Sequence, residues 1–118
     1  MNPPKKCMIW NPYTQTLQLA TMPQTLENWY ATIGTEEVST FYLQDGHGAT
    51  CIYSERIEET IPYGVQFQNW KQPVIGVLLF VGPPDGEGET TDLCEEAITH
   101  IRKCYATAKK GPVIDFQG

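Results

Sequence analysis

Histidine and cysteine are this chain's most reactive side chains, and four of its six such residues share one spacing. His47 precedes Cys51 by four positions, and His100 precedes Cys104 by the same interval. On a helix, residues four apart share a face. Two such pairs brought together would offer the Cys2His2 donor set of a tetrahedral zinc site. One pair alone could act as a thiol nucleophile with an imidazole base, given a third group to orient the imidazole. No Asn or Asp at a telling spacing supplies that group, and nothing in the sequence brings the two pairs together. The expectation is therefore no metal and no cofactor, with His47, Cys51, His100 and Cys104 as the ligands to check.

Aromatic and arginine side chains are the second source of chemistry. Trp and Tyr anchor protein interfaces and stack on bases. Trp29, Tyr30 and Tyr105 fall at periodic positions that read as core. Tyr13, Tyr63 and Trp70 fall in turn-like segments and are candidates for an exposed binding surface. Arg56 and Arg102 could clamp a phosphate or carboxylate with paired hydrogen bonds, although surface ion pairing is the commoner use. The loop from Gly82 to Glu89 alternates glycine with Asp85, Glu87 and Glu89. It lacks the EF-hand ligand pattern. Its carboxylates would repel a phosphate at the helix that follows.

Secondary-structure patterns show what must position these residues. Cys7–Trp10 reads as a strand, Asn11–Thr14 as a turn and Thr16–Ala20 as the returning strand. Thr21-Met22-Pro23-Gln24 fits a capping box, and Met22, Leu26, Trp29, Tyr30 and Ile33 then form one apolar face ending at Gly34. This predicts a helix over 22–33. Val38–Leu43 and Ala49–Ser54 flank a Gly-rich hairpin loop. A short strand fits Val65–Phe67. Val74–Val81 is apolar on both faces, which marks a central covered strand or an obligate interface strand. Leu93, Ala97, Ile98, Ile101, Tyr105 and Ala108 set a second helix over 91–108. Acids at its start and bases at its end suit the helix dipole. Gly111-Pro112 stops it, and Val113–Phe116 could add a last edge strand. The sum is an α+β two-layer domain, residues 1–118, with a mostly antiparallel sheet of five to six strands and two helices.

Composition narrows the function classes. The chain has 118 residues, 14 acidic and 8 basic, for a net charge of −6. A general nucleic-acid binder needs a basic stripe that these residues cannot supply. Most of the acids lie in Glu55–Glu59 and Asp85–Glu96, so the charge is two local patches rather than a regular track. The longest apolar stretch, about nine residues, is half of a membrane span. The N-terminus carries no long apolar region of the secretory kind. Four scattered cysteines without a C-x-x-C pair suit free thiols, so a cytoplasmic location is expected.

Several segments together resemble a known family. These are the strand Cys7–Asn11, then Thr16–Ala20, the helix Leu26–Ile33, the Asp45-Gly46 hairpin, Glu55, and above all Pro73–Gly82. The pattern is similar to domain of unknown function 3846, a family of small proteins from phages and mobile elements. The C-terminal helix and the Pro62 region depart from it. The resemblance implies a mobile-element origin and no assigned activity. The expectation is a non-enzymatic binding protein that acts on a host protein or sequesters a small, nucleotide-like ligand. It would bind no nucleic acid directly, and it could form a homo-oligomer through Val74–Val81. Two other readings stay open: an acidic nucleic-acid mimic that inhibits a host DNA-binding enzyme, and a small zinc-dependent enzyme.

Overall fold

A computed structural model describes residues 3–43, 46–56, 63–67, 73–87 and 89–112. The first two strands, β1 (Pro4–Asn11) and β2 (Thr16–Pro23), form a hairpin paired over its whole length. Its turn is held by the Asn11 side chain, which accepts from the Tyr13 and Thr14 amides at 2.8 and 3.3 Å. Helix α1 (Leu26–Ile33) follows, then β3 (Val38–Tyr42) and β4 (Thr50–Ser54), which make a second hairpin. Next come β5 (Tyr63–Gln66), β6 (Val74–Ile75), β7 (Leu78–Val81), helix α2 (Glu95–Thr107) and β8 (Lys109–Pro112).

The strands form two antiparallel sheets, one of five strands in the order β2-β1-β7-β4-β3 and one of three in the order β6-β5-β8. The α+β class is as expected from the sequence, but the layering differs. Alternate residues of the large sheet feed two separate cores. Cys7, Ile52, Leu79 and Val81 pack with Ile33 and Trp29 of α1 on one face. Met8, Trp10, Cys51, Leu78 and Phe80 pack on the other face with Val65 and Phe67, Val74, and Ala97, Ile98 and Ile101 of α2. The large sheet is therefore a middle layer, covered on one side by α1 and on the other by α2 and the small sheet. Two layers would need one solvated face, and the doubly apolar β7 has none.

The apolar run Val74–Val81 is not one strand. Gly76 at φ 112° breaks it, leaving β6 in the small sheet and β7 at the centre of the large one. All four residues of β7 are buried within this chain. Each such side chain contributes about 1.5–3 kcal/mol of burial. This explains the run without a second copy. Of the run Val74–Val81, where an oligomer contact is expected from the sequence, the β7 part has no free edge or face to offer.

Both helices begin later than the sequence pattern suggests, for the same physical reason. Thr21, Met22 and Pro23 are still paired with Lys6, Lys5 and Pro4 in the hairpin, so the backbone of the expected capping box is committed to a strand. Thr25 is the cap instead, its hydroxyl accepting from the Asn28 amide at 3.2 Å. Gly34, at φ 94°, ends α1 by donating to the Tyr30 carbonyl at 2.7 Å. The segment before α2 is also engaged in extended pairing. Thr91 donates to the Pro83 carbonyl at 3.0 Å, and Leu93 donates to the Lys6 carbonyl at 3.1 Å. A Cβ on Gly82 would collide with the Thr91 carbonyl oxygen, so only glycine lets this segment cross the end of β7. Cys94 then caps α2. At the other end, Gly111-Pro112 belongs to β8 and pairs with Tyr63 and Gly64. The extra strand expected at Val113–Phe116 lies outside the described residues.

Candidate functional site

Helix α2 carries the polar stripe that builds the candidate site. At 100° per residue, Glu95, Glu96, Thr99, His100 and Lys103 fall within an arc of roughly 140°. The buried Ala97, Ile98 and Ile101 occupy the opposite arc and hold the helix on the core. The β3–β4 loop brings His47 up to this stripe. Together the six side chains line a shallow, open cleft of about 450 Å³.

Opposite charges share this cleft. Glu95 and Glu96 occupy the first turn of α2, where the exposed amides favour a carboxylate. The Glu96 carboxyl is held below its ordinary range, first by its own backbone amide, then by the Cys94 thiol and by the charge of His47. It is thus an anion across the neutral pH range, with Lys103 two turns further along. Such a site suits a partner group that carries a positive charge and hydrogen-bond donors. A phosphate would meet the two carboxylates.

The two His/Cys pairs meet different fates. His100 Nε2 lies 3.4 Å from the Cys104 sulfur, as the helical spacing implies. The first pair does not form a unit. His47 is exposed on the loop, whereas Cys51 is wholly buried in β4 with its side chain in the core. Burial pushes the Cys51 thiol well above its usual range, so it is held as the neutral thiol. The histidines therefore line the cleft, while Cys51 sits in the core that α2 covers and does not reach it. Among the described residues, no three His, Cys, Asp or Glu side chains come together as a metal site. None of the four cysteines is in a disulfide; Cys7 and Cys51 are buried, Cys94 is exposed and Cys104 is half-buried.

The other candidates lie on separate elements. Tyr13 is 56% exposed in the β1–β2 turn. Tyr63 is half-buried at the start of β5. Arg56 follows β4 and pairs with Glu37 at 3.6 Å, both side chains more than half exposed. Such a pair is worth about 0–1 kcal/mol. Arg102 is exposed on α2, and Trp70 lies outside the described residues. No hydrogen bond, ion pair or ring contact joins Tyr13, Tyr63, Arg56 and Arg102 to one another. The Trp10 and Tyr105 rings pack with centroids 5.3 Å apart and planes tilted by 49°, with Trp10 inside the core.

The acidic loop has a structural account. The Asp85 carboxylate accepts from the Glu87 and Glu89 amides at 2.8 and 3.0 Å, and Pro84 bridges Thr90. These bonds close the loop on itself. Among the described residues, no helix is long and apolar enough to cross a membrane.

Sequence reasoning found both cleft histidines but missed Glu95, Glu96, Thr99 and Lys103 as their companions. The signal was the polar arc of α2, which read only as dipole complement and solvated face. The approach of His47 is set by the β3–β4 hairpin and has no local signature. No family model, no curated protein and no solved structure matches the chain.

Proposed function

We propose that this protein is a non-catalytic binding module that docks a basic segment of a partner protein in the cleft between His47 and α2. The observation that carries this reading is the pair Glu95–Glu96 at the start of α2, with Glu96 held ionised beside His47. An open cleft of this size accommodates a side chain and its flanking backbone rather than engulfing a small molecule. The same carboxylates disfavour a nucleotide, so a protein partner fits better than a sequestered phosphate ester. A host protein as that partner, and a mobile-element origin, are part of the same reading.

The test is a comparison of two short peptides, Gly-Lys-Gly and Gly-Glu-Gly with blocked ends, followed by amide chemical shifts. The lysine peptide should shift the amides of 46–48 and 95–103, and the effect should fade at high salt, where screening shortens to ~3 Å at 1 M. Equal responses to both peptides, or shifts spread away from the cleft, would contradict the proposal.

A further inference from the structure

The outer edge of β2 is uncommon in what it lacks. Exposed sheet edges are usually blunted by charge, proline, a bulge or a covering element. From Asn11 to Leu26 this chain contains no charged residue. β2 is paired without a bulge to β1 along all eight residues and, among the described residues, has no neighbour on its other side. Leu19, at the middle of the strand, is 47% exposed.

The free backbone groups can be assigned. The Lys6 amide donates to the Asp92 carboxylate at 2.6 Å, and the Lys6 carbonyl accepts from Leu93. Both therefore point away from β2. Hydrogen-bonding direction alternates along an antiparallel strand. Lys5, Cys7, Ile9 and Asn11 thus bond to Met22, Ala20, Gln18 and Thr16. The amides and carbonyls of Leu17, Leu19 and Thr21 are left facing outward. This run is bounded at both ends. Pro23 has no N–H, and its carbonyl already accepts from Thr25 at 3.1 Å and Asn28 Nδ2 at 2.7 Å. At the other end Gln15, at φ 55°, turns the chain away.

We propose that β2 pairs with β2 of a second copy of this chain, antiparallel, about a twofold axis at Leu19. The available run is centred on Leu19, so this register uses every outward group. Leu19 pairs with its own counterpart, and Leu17 pairs with the partner's Thr21 on either side. Each such pair exchanges two N–H···O bonds. The two leucines at the axis lie on the same face and cover each other. A twofold contact sets the same strand edge of both copies against itself, so an edge without charge is self-compatible. The two large sheets would join into one continuous sheet, leaving the α2 cleft outside the contact.

Light scattering across a dilution series up to about 300 µM tests this, since weak dimers dissociate in the micromolar range. The expected result is a mass rising towards twice the 13.3 kDa of one chain. Leu19→Lys sets two ammonium groups against each other at the axis and should keep the protein monomeric. Leu19→Pro removes only an outward N–H, leaves the β1 ladder intact and should do the same. Gln18→Lys, on the other face, should still dimerise. A single-chain mass throughout the series would overturn the proposal, as would a dimer that survives both Leu19 variants with unchanged circular dichroism.

Discussion

Gly82→Ala is the substitution that most directly couples the fold to the cleft. The added methyl would collide with the Thr91 carbonyl oxygen and lie 2.5 Å from that of Asp92. These are backbone atoms, so the 91–93 segment must shift rather than a side chain rotate. That segment donates from Leu93 to Lys6 and accepts from the Lys6 amide through Asp92. Losing the neutral bond costs about 1 kcal/mol, and weakening the exposed charge-assisted one costs about the same. Residual overpacking adds at least ~1 kcal/mol. The total, about 3 kcal/mol, corresponds to a fall in Tm of roughly 12 °C for a chain of this length. The same shift displaces Cys94 and the first turn of α2, so Glu95 and Glu96 should move relative to His47. Urea unfolding followed by tryptophan fluorescence measures the first effect. Gly86→Ala is the control, because a Cβ there meets nothing within 4 Å. Equal stability of the two variants, within about 0.5 kcal/mol, would refute the view that this crossing is tightly packed.

Four further outcomes are expected. In the native protein a thiol reagent should modify exposed Cys94 first, while Cys7 and Cys51 react only on unfolding; prompt reaction of Cys51 would contradict its burial. Burial raises the pKa of both buried thiols above 9.0, so stability is full below that pH and declines above it as the unfolded thiols ionise first; Cys51→Ala should flatten that alkaline decline in urea titrations. Thr25→Ala removes the α1 cap and should cost about 1 kcal/mol in the same assay. The Glu96 carboxyl is depressed, so its contribution is present above 4.5 and lost as pH falls through its folded value; Glu96→Gln should reduce the acid sensitivity of α2 amide exchange.

The sequence patterns that proved legible were the local ones. The Val38–Leu43 and Ala49–Ser54 hairpin strands, the Gly34 cap, the apolar face of α2 and the central, covered character of the second half of Val74–Val81 all follow from short-range chemistry. The errors came where tertiary pairing overrode a local signal. Thr21 looks like a helix cap, but its backbone stands opposite Lys6 in a strand. Residues 91–93 look helical, but they bond to Pro83 and Lys6. The break at Gly76 turned one apparent strand into two strands of different sheets. At the candidate site the His100–Cys104 pair was legible, because four residues on a helix fix a distance. The approach of His47 to α2, and the placing of Cys51 in the α2-side core, depend on how the β3–β4 hairpin is seated on the rest of the fold.

The most direct test of the central claim reverses the charge of the cleft. Glu95→Lys with Glu96→Lys leaves the apolar face of α2 untouched and costs at most about 1 kcal/mol per site through the helix dipole. The account predicts that the doubly substituted protein, still folded by circular dichroism, loses its response to Gly-Lys-Gly and gains one to Gly-Glu-Gly at the amides of 46–48 and 95–103. An unchanged preference in the folded variant would contradict it.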